Sequence, residues 1–134
     1  MSHAKKKCWE AFSLMKKLEA SYDGVHVKCY TCDADLEIGT SGCQLGHMLP
    51  KGGYGALYFE WHNTEPQCFR CNISLSGNTV EFMKRKIEEI GQEAFDEMYQ
   101  RRHDQTKLTK TDYEEMTKKF TNRITKIKEE RGWN

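Results

Sequence analysis

The chain has 134 residues and a formal net charge of +1, a length that suits one domain and leaves little room for a second core. Hydrophobic residues make up 37% and charged residues 31%, so the core is small and a bound metal or disulfides would help it to fold. No apolar run approaches the roughly 20 residues of a membrane span, and residues 1–7 lack the apolar stretch of a secretory signal. We therefore expect a cytoplasmic protein with no membrane partner.

The small net charge conceals an uneven distribution of charge. Residues 1–20 hold five basic and two acidic residues, residues 21–100 hold six and twelve, and residues 101–134 hold ten and six. Basic ends are typical of contacts with nucleic acid, but a solvated helix face has the same composition. The asymmetry alone does not decide between the two.

The first predicted elements are an amphipathic helix over residues 5–20 and a short strand over residues 25–28. The apolar stripe of this helix consists of Trp9, Phe12, Met15 and Leu18. Residues 33–60 are rich in glycine, which favours short strands and turns. Within them, residues 56–61 are predicted to form a strand, with residues 43–48 as its hairpin partner.

The second half of the chain is predicted to be helical. One helix ends at Ile90 before the C-terminal cap Gly91, and another runs from Gln92 to about Arg102. A third helix is opened by residues 111–114, whose sequence Thr-Asp-Tyr-Glu has the form of a capping box. Its apolar stripe consists of Tyr113, Met116, Phe120, Ile124 and Ile127. Such a stripe packs into the core or forms a homodimer interface.

Four of the six cysteines have the spacing of a zinc site. Cys29 and Cys32 are separated by two residues, as are Cys68 and Cys71, and 35 residues lie between the two pairs. Two such pairs close a tetrahedral shell of thiolates around one Zn²⁺, and a full shell makes that ion structural. Redox-active or unrelated thiols are the weaker interpretation. Of the other two cysteines, Cys43 is an extra ligand or a small buried residue, and its type favours burial.

A histidine and two asparagines occur in an order that resembles the HNH (His-Me finger) nucleases. Asn63 follows His47 by 16 residues, and Asn72 follows it by 25, directly after a zinc-site cysteine. Hydrolysis of a phosphodiester needs an activated water, which histidine can provide, and a hard cation such as Mg²⁺ or Mn²⁺, which an amide oxygen can bind. We therefore assign His47 as general base, Asn63 as the acceptor that orients its imidazole, and Asn72 as a ligand of the catalytic cation. Taken singly, each residue has an ordinary structural explanation, such as a turn or a helix cap.

The residue before the predicted base departs from the usual motif. Most HNH motifs have Asp or His there, and that residue also binds the metal, whereas this chain has Gly46. Either Asn72 and waters hold the ion, or another acid such as Glu60 or Glu65 contributes. The departure affects the set of metal ligands more than the identity of the base.

These motifs together resemble the signature of the phage NinG/Rap recombination nucleases. The segments that carry the resemblance are CQLGHMLP at 43–50, YFEWHN at 58–63, QCFRCN at 67–72 and LSGN at 75–78. The resemblance spans roughly residues 5–130 and includes Gly46 in the family's own pattern. In the last segment, Asn78 either forms a turn before the next helix or points at the metal, and the turn is favoured.

The resemblance implies an α+β fold with a small zinc-stabilised ββα-metal core and flanking terminal helices. The expected division is an N-terminal helix over residues 1–24, a core over residues 25–91 and a helical extension over residues 92–134, within one compact domain. The implied activity is that of a metal-dependent endodeoxyribonuclease, acting in the bacterial host cytoplasm on branched recombination intermediates such as D-loops and Holliday junctions.

Such a nuclease needs basic side chains beside its site to contact phosphates. The candidates in this sequence are Lys51, Arg70, Lys84, Arg85 and Lys86. Two other functions are compatible with the sequence. One is a non-catalytic zinc module that binds DNA junctions or a recombination partner, and the other is an adaptor that dimerises through its last helix.

Overall fold

The computed structural model describes residues 1–50 and 55–134, and these residues form a mixed α+β fold. The helices are α1 (His3–Ala20), α2 (Thr79–Ile90), α3 (Gln92–Gln100) and α4 (Lys110–Arg131). The strands are β1 (His26–Lys28), β2 (Asp35–Glu37), β3 (Gln44–His47) and β4 (Thr64–Gln67). Within the described ranges, no helix has both the length and the apolar character to cross a membrane. The α+β prediction is confirmed.

The two terminal helices pack against each other and form one part of the core. Phe12, Met15 and Leu18 of α1 are buried in a cluster with Leu45 of β3 and Ile127 of α4. Phe120 and Ile124 of α4 are partly buried against the same cluster. The apolar stripe of α4 therefore folds back on the domain in this structure.

The start of α4 differs from the prediction by two residues. Its capping box is formed by Thr109 and Asp112, not by the segment 111–114. The Thr109 hydroxyl accepts from the Asp112 backbone N–H at 3.1 Å, and the Asp112 carboxylate accepts from the Thr109 N–H at 2.8 Å. Both residues thus satisfy backbone donors that the first turn of a helix leaves unpaired.

The strands form two separate antiparallel hairpins. In the first, β1 pairs with β2 from His26 opposite Glu37 to Lys28 opposite Asp35. In the second, β3 pairs with β4, which places Gly46 opposite Glu65. The predicted pairing of 43–48 with 56–61 is wrong, since the partner of β3 is Thr64–Gln67.

Residues 56–61 do not form the predicted strand. A 3₁₀ turn covers Gly55–Leu57, and a second one begins at Trp61. Leu57 and Tyr58 are adjacent in sequence and both are buried. Burial of two successive side chains departs from the alternation of a strand that has one buried face.

A buried ionic cluster joins α1, β4 and α2. Glu65 is buried and pairs with Lys86 and, at 3.6 Å, with Lys16, and both lysine side chains are nearly inaccessible. The Lys86 ammonium also lies 3.1 Å from a carboxylate oxygen of Glu89, and Lys16 donates to the Trp61 carbonyl at 2.7 Å. Burial lowers the pKa of Lys16 to about 8, although the Glu65 carboxylate opposes the shift. Glu65 is therefore committed to these lysines and not to a catalytic cation.

Replacing Lys86 with Ala is expected to destabilise the protein by about 3 kcal/mol, because it leaves Glu65 with only the more distant Lys16 in a buried setting. The measurement is urea unfolding of the zinc-loaded protein. The matched control is Lys84→Ala two positions earlier on the same helix, where the exposed side chain should contribute less than about 0.5 kcal/mol. Equal stability of the two variants would contradict a structural role for Lys86.

Candidate functional site

The four predicted zinc ligands converge in the structure. Cys29 and Cys32 follow β1, while Cys68 and Cys71 follow β4, and their four Sγ atoms all lie within 4.8 Å of one another. The Sγ atoms of Cys32 and Cys68 are 3.7 Å apart. A tetrahedron with Zn–S bonds of about 2.3 Å has sulfur–sulfur edges of about 3.8 Å. The four thiols could therefore hold one zinc ion.

Backbone donors around the cluster favour the thiolate form that binds zinc. The Cys68 backbone N–H donates to the Cys29 sulfur at 3.4 Å, and the Cys71 N–H donates to the Cys68 sulfur at 3.4 Å. Burial opposes ionisation of Cys29, but hydrogen bonds from the Cys68 N–H and from Thr31 outweigh it and lower its pKa to about 6. A lowered pKa favours the deprotonated form of Cys29, which is the form that binds a metal, whereas burial raises the pKa of Cys32 and of Cys68.

The remaining two cysteines are buried and lie outside the four-sulfur group. Cys43 packs in a cluster with Val27 and Leu36, which confirms that it serves as a small buried residue. Cys8 is fully buried on α1.

His47 is the last residue of β3, and its imidazole is held from two sides. Its Nε2 atom lies 2.9 Å from the carbonyl oxygen of Tyr58, and the indole of Trp9 stacks on the ring with centroids 5.0 Å apart and planes 13° apart. A carbonyl only accepts, so Nε2 carries the proton and the basic lone pair is on Nδ1. The imidazole is therefore fixed in orientation and tautomer, and α1 supplies one of its walls.

Asn63 is fully buried, and its side chain bonds to backbone groups. Its Oδ1 accepts from the Leu49 N–H at 2.9 Å, and its Nδ2 donates to the carbonyls of Leu49 and Leu57 at 3.2 and 3.1 Å. These bonds hold the backbone on both sides of the connection between β3 and β4. The carbonyl of Tyr58 thus takes the place that was predicted for Asn63 beside the imidazole, and Asn63 acts on His47 only through the backbone.

His47 and Asn72 line one cavity of about 310 Å³, together with Ile73 and Gly77. Asn72 lies on a π-helical turn, Arg70–Ser74, that begins inside the second cysteine pair. Its Nδ2 donates to Oε1 of Gln44 at 2.7 Å, so a residue of β3 positions the amide. The structure therefore brings the predicted base and the predicted cation ligand to one cavity beside the cysteine cluster.

Gly46 is required by the close approach of two amides. A Cβ atom at this position would lie 1.8 Å from Oε1 of Gln67 and 2.9 Å from Oδ1 of Asn72. Gln67 is fully buried, and the space that an acidic side chain would fill at position 46 is taken by its amide. Nor is Glu60 available in place of that acid, because it pairs with Arg101 at 2.5 Å.

Substituting Gly46 with Ala is expected to lower the stability of the protein by about 1–3 kcal/mol, since the new methyl group displaces the buried Gln67 amide. The same change at Gly55, where a Cβ atom would meet no neighbour within 4 Å among the described residues, is the matched control and should have little effect. Thermal unfolding of the two zinc-loaded variants compares them directly. A Gly46 variant as stable as the Gly55 variant would show that the amide can move away at no cost.

A left-handed turn links the cavity to the cysteine cluster. Ser76, Gly77 and Asn78 have φ angles of 49°, 96° and 48°. The Asn78 side-chain amide donates to the sulfur of Cys71 at 3.6 Å, and the position of Gly77 lies against the carbonyl of His47. This geometry agrees with a turn before α2, and it directs Asn78 to the cysteine cluster.

The predicted DNA contacts differ in their availability. Arg70 and Lys84 are exposed, whereas Arg85 binds Asp33 and Glu81 and donates to the Tyr30 carbonyl. The prediction for Lys86 is wrong, because its ammonium is buried against Glu65. Lys51 lies outside the described residues.

Comparison with known proteins connects the chain to phage proteins. A segment of 45 residues is 38% identical to the Septu protein PtuB of Bacillus thuringiensis. The matched segment covers 34% of this chain and 18% of that protein. No solved structure matches the chain. The family model described as bacteriophage lambda NinG protein matches residues 28–130. Because this match covers more than half of the sequence, the chain belongs to the bacteriophage lambda NinG protein family.

Proposed function

We propose that the protein is a metal-dependent endonuclease of the HNH type that cleaves branched recombination intermediates such as D-loops and Holliday junctions. The observation that carries this proposal is the shared cavity of His47 and Asn72, in which a backbone carbonyl and a stacked indole fix the imidazole. Its NinG family membership and its resemblance to phage recombination nucleases support the choice of substrate.

The order of the elements also supports a ββα-metal unit. The β3–β4 hairpin carries His47 on its first strand, the π-helical turn that follows carries Asn72, and α2 comes next. The cysteine cluster closes the base of the hairpin, because one of its pairs directly follows β4. A hairpin that a bound metal makes rigid is suited to holding a base and a cation ligand at a fixed separation.

In the proposed reaction His47 acts as a general base. Its Nδ1 atom takes a proton from the water that attacks phosphorus, and the Tyr58 carbonyl stabilises the Nε2–H of the resulting imidazolium. Asn72 would bind the divalent cation through its amide oxygen. Oε1 of Gln67, which is buried without a hydrogen-bond partner among the described residues, and Oδ1 of Asn72 fit the binding of such an ion beside Gly46. When bound, Mg²⁺ or Mn²⁺ neutralises charge on the phosphate and assists the leaving oxygen.

DNA would be held through its phosphates near the mouth of this cavity. Arg70 is exposed on the same turn as Asn72, and Lys84 is exposed on α2. Contacts of this kind bind DNA without reading its sequence and weaken as salt increases. Recognition of a branch would then depend on the shape of the DNA.

The test is cleavage of an end-labelled four-way junction and a D-loop by the zinc-loaded protein in Mg²⁺ or Mn²⁺, with linear duplex as the reference substrate. Nicking of the branched substrates that requires both the divalent ion and His47 would support the proposal. Binding of the junction without cleavage in either metal would overturn it. That result would favour the alternative of a non-catalytic zinc module. The structural argument for this alternative is Gly46, which has no side chain to bind a cation.

A further inference from the structure

We propose that Gln67 supplies a second protein oxygen to the divalent cation, through Oε1 and beside Oδ1 of Asn72. This inference rests on the proposed function for the role of the site, but it concerns a residue that the HNH motif does not include. It answers how a chain with glycine before its base completes the binding of the ion.

The orientation of the Gln67 amide is fixed by its neighbours. Its Nε2 atom lies 2.8 Å from the carbonyl oxygen of Gly77 and 3.0 Å from the hydroxyl oxygen of Thr31. A carbonyl oxygen can only accept, so the NH₂ group must face Gly77. The oxygen Oε1 consequently points toward Gly46, where it is buried without a hydrogen-bond partner among the described residues.

The orientation of the Asn72 amide follows from a similar chain of contacts. Gln44 donates from Nε2 to the Ser41 carbonyl at 3.1 Å, so its Oε1 atom is the one that faces Asn72. That oxygen accepts from Nδ2 of Asn72 at 2.7 Å. Oδ1 of Asn72 is therefore directed to the other side, toward the position where Gly46 lacks a side chain.

Two amide oxygens thus approach one point beside Gly46, and neither can rotate to offer a donor to the other without breaking a bond to a carbonyl. Leaving a buried acceptor unpaired destabilises a protein by about 1–3 kcal/mol. A hard cation takes oxygen ligands of this kind, and Asn72 also lines the cavity of His47. The position that an acid would occupy in the usual motif is filled by an oxygen from β4 instead.

The experiment titrates the zinc-loaded protein with Mn²⁺ and measures the free ion by electron paramagnetic resonance. Gln67→Met removes the oxygen but keeps the length of the side chain, and Asn72→Ala removes the second oxygen. Both are expected to weaken Mn²⁺ binding by roughly tenfold or more. Gln92→Met is the matched control, because it makes the same change at an exposed glutamine of α3 whose amide binds Asp96. Its Mn²⁺ affinity should equal that of the unmodified protein.

A second measurement needs no substitution and holds even if Gln67→Met fails to fold. Bound Mn²⁺ broadens the nuclear magnetic resonance signals of nearby groups, so the side-chain NH₂ signals of Gln67 should disappear at low Mn²⁺ occupancy. The side chain of Gln92, which binds Asp96 on α3, provides the reference signal and should persist.

Mn²⁺ binding that is unchanged in Gln67→Met, or a Gln67 signal that persists with that of Gln92, would overturn the inference and leave a water molecule as the partner of Oε1. Failure of the unmodified protein to bind Mn²⁺ would overturn it as well. The nuclease proposal is judged separately. If cleavage depends on His47 but Mn²⁺ binding is unchanged in Gln67→Met, only the role of Gln67 is contradicted. If Mn²⁺ binding depends on Gln67 but branched DNA is not cleaved, the cation site is supported and the nuclease proposal is contradicted.

Discussion

Replacing His47 with Ala is expected to slow the cleavage of branched DNA by about 10²–10⁴-fold, which is the usual contribution of a positioned general base. Histidine is the side-chain type suited to proton transfer near neutral pH, and the Nε2 bond of His47 to the Tyr58 carbonyl leaves the basic lone pair on Nδ1. The rate is measured under single-turnover conditions in saturating Mg²⁺ or Mn²⁺, so that it reports the chemical step.

The control for this substitution is His26→Ala. His26 lies in β1 and pairs with Asp23, on the hairpin that does not carry the cavity, and its loss should leave the cleavage rate unchanged. Zinc content and junction affinity should be the same in both variants. If His47→Ala cleaves as fast as the unmodified protein, another group activates the water and the assignment of the base is wrong.

Replacing Cys29 with Ser is expected to cause loss of the zinc ion and of cooperative unfolding. The cysteine cluster joins the end of β1 to the end of β4, two segments that belong to different hairpins. The core between them is small, so the free energy of metal binding contributes directly to the free energy of folding. Zinc content by mass spectrometry, expected near one ion per chain, and circular dichroism during heating give the two readouts.

Cys43→Ala tests whether the loss of zinc and of cooperative unfolding is specific to the four-cysteine cluster or follows the loss of any buried cysteine. Cys43 is buried near Cys29 and Cys71 but lies outside the four-sulfur group, so this variant should retain one zinc and a cooperative transition. A Cys29 variant that keeps its zinc and its unfolding midpoint would exclude the four-thiolate site. Addition of a strong chelator to the unmodified protein should reproduce the Cys29→Ser phenotype.

The helices could be predicted from sequence, and the second strand of the cavity hairpin could not. The apolar stripe of α1 and the glycine after α2 are local signals, and both predict elements that the structure contains. Strand β4 has the sequence Thr-Glu-Pro-Gln, in which proline and glutamate are both depleted in strands. All four residues are nevertheless buried, because Glu65 is neutralised by lysines from α1 and α2 and Gln67 bonds to Thr31 and Gly77. Contacts at such long range leave no periodic pattern in the sequence.

The same difference between local sequence signals and long-range contacts applies to the candidate site. The spacing of the cysteines is a local signal and predicted the four-cysteine cluster, and the motif around His47 indicated that the proposed base and Asn72 lie in one cavity. Trp9 and Gln67 were missed as members of the site because they reach it from α1 and β4 through the fold. Gln67 lies in the segment 67–72 that carries the family resemblance, and the glycine at position 46 indicates a close approach but does not name the residue that approaches.

The stacking of Trp9 on His47 bears on how small an active fragment of this protein can be. The indole belongs to α1, and α1 is held in place by the packing of its apolar face on α4, which lies at the other end of the chain. A fragment limited to the two hairpins, the cysteine cluster and α2 would keep every predicted ligand and the predicted base. It would nonetheless expose one face of the imidazole to solvent and remove the wall that restricts its rotation. The terminal helices thus form part of the environment of the proposed base, and a fragment that keeps this environment extends to α4.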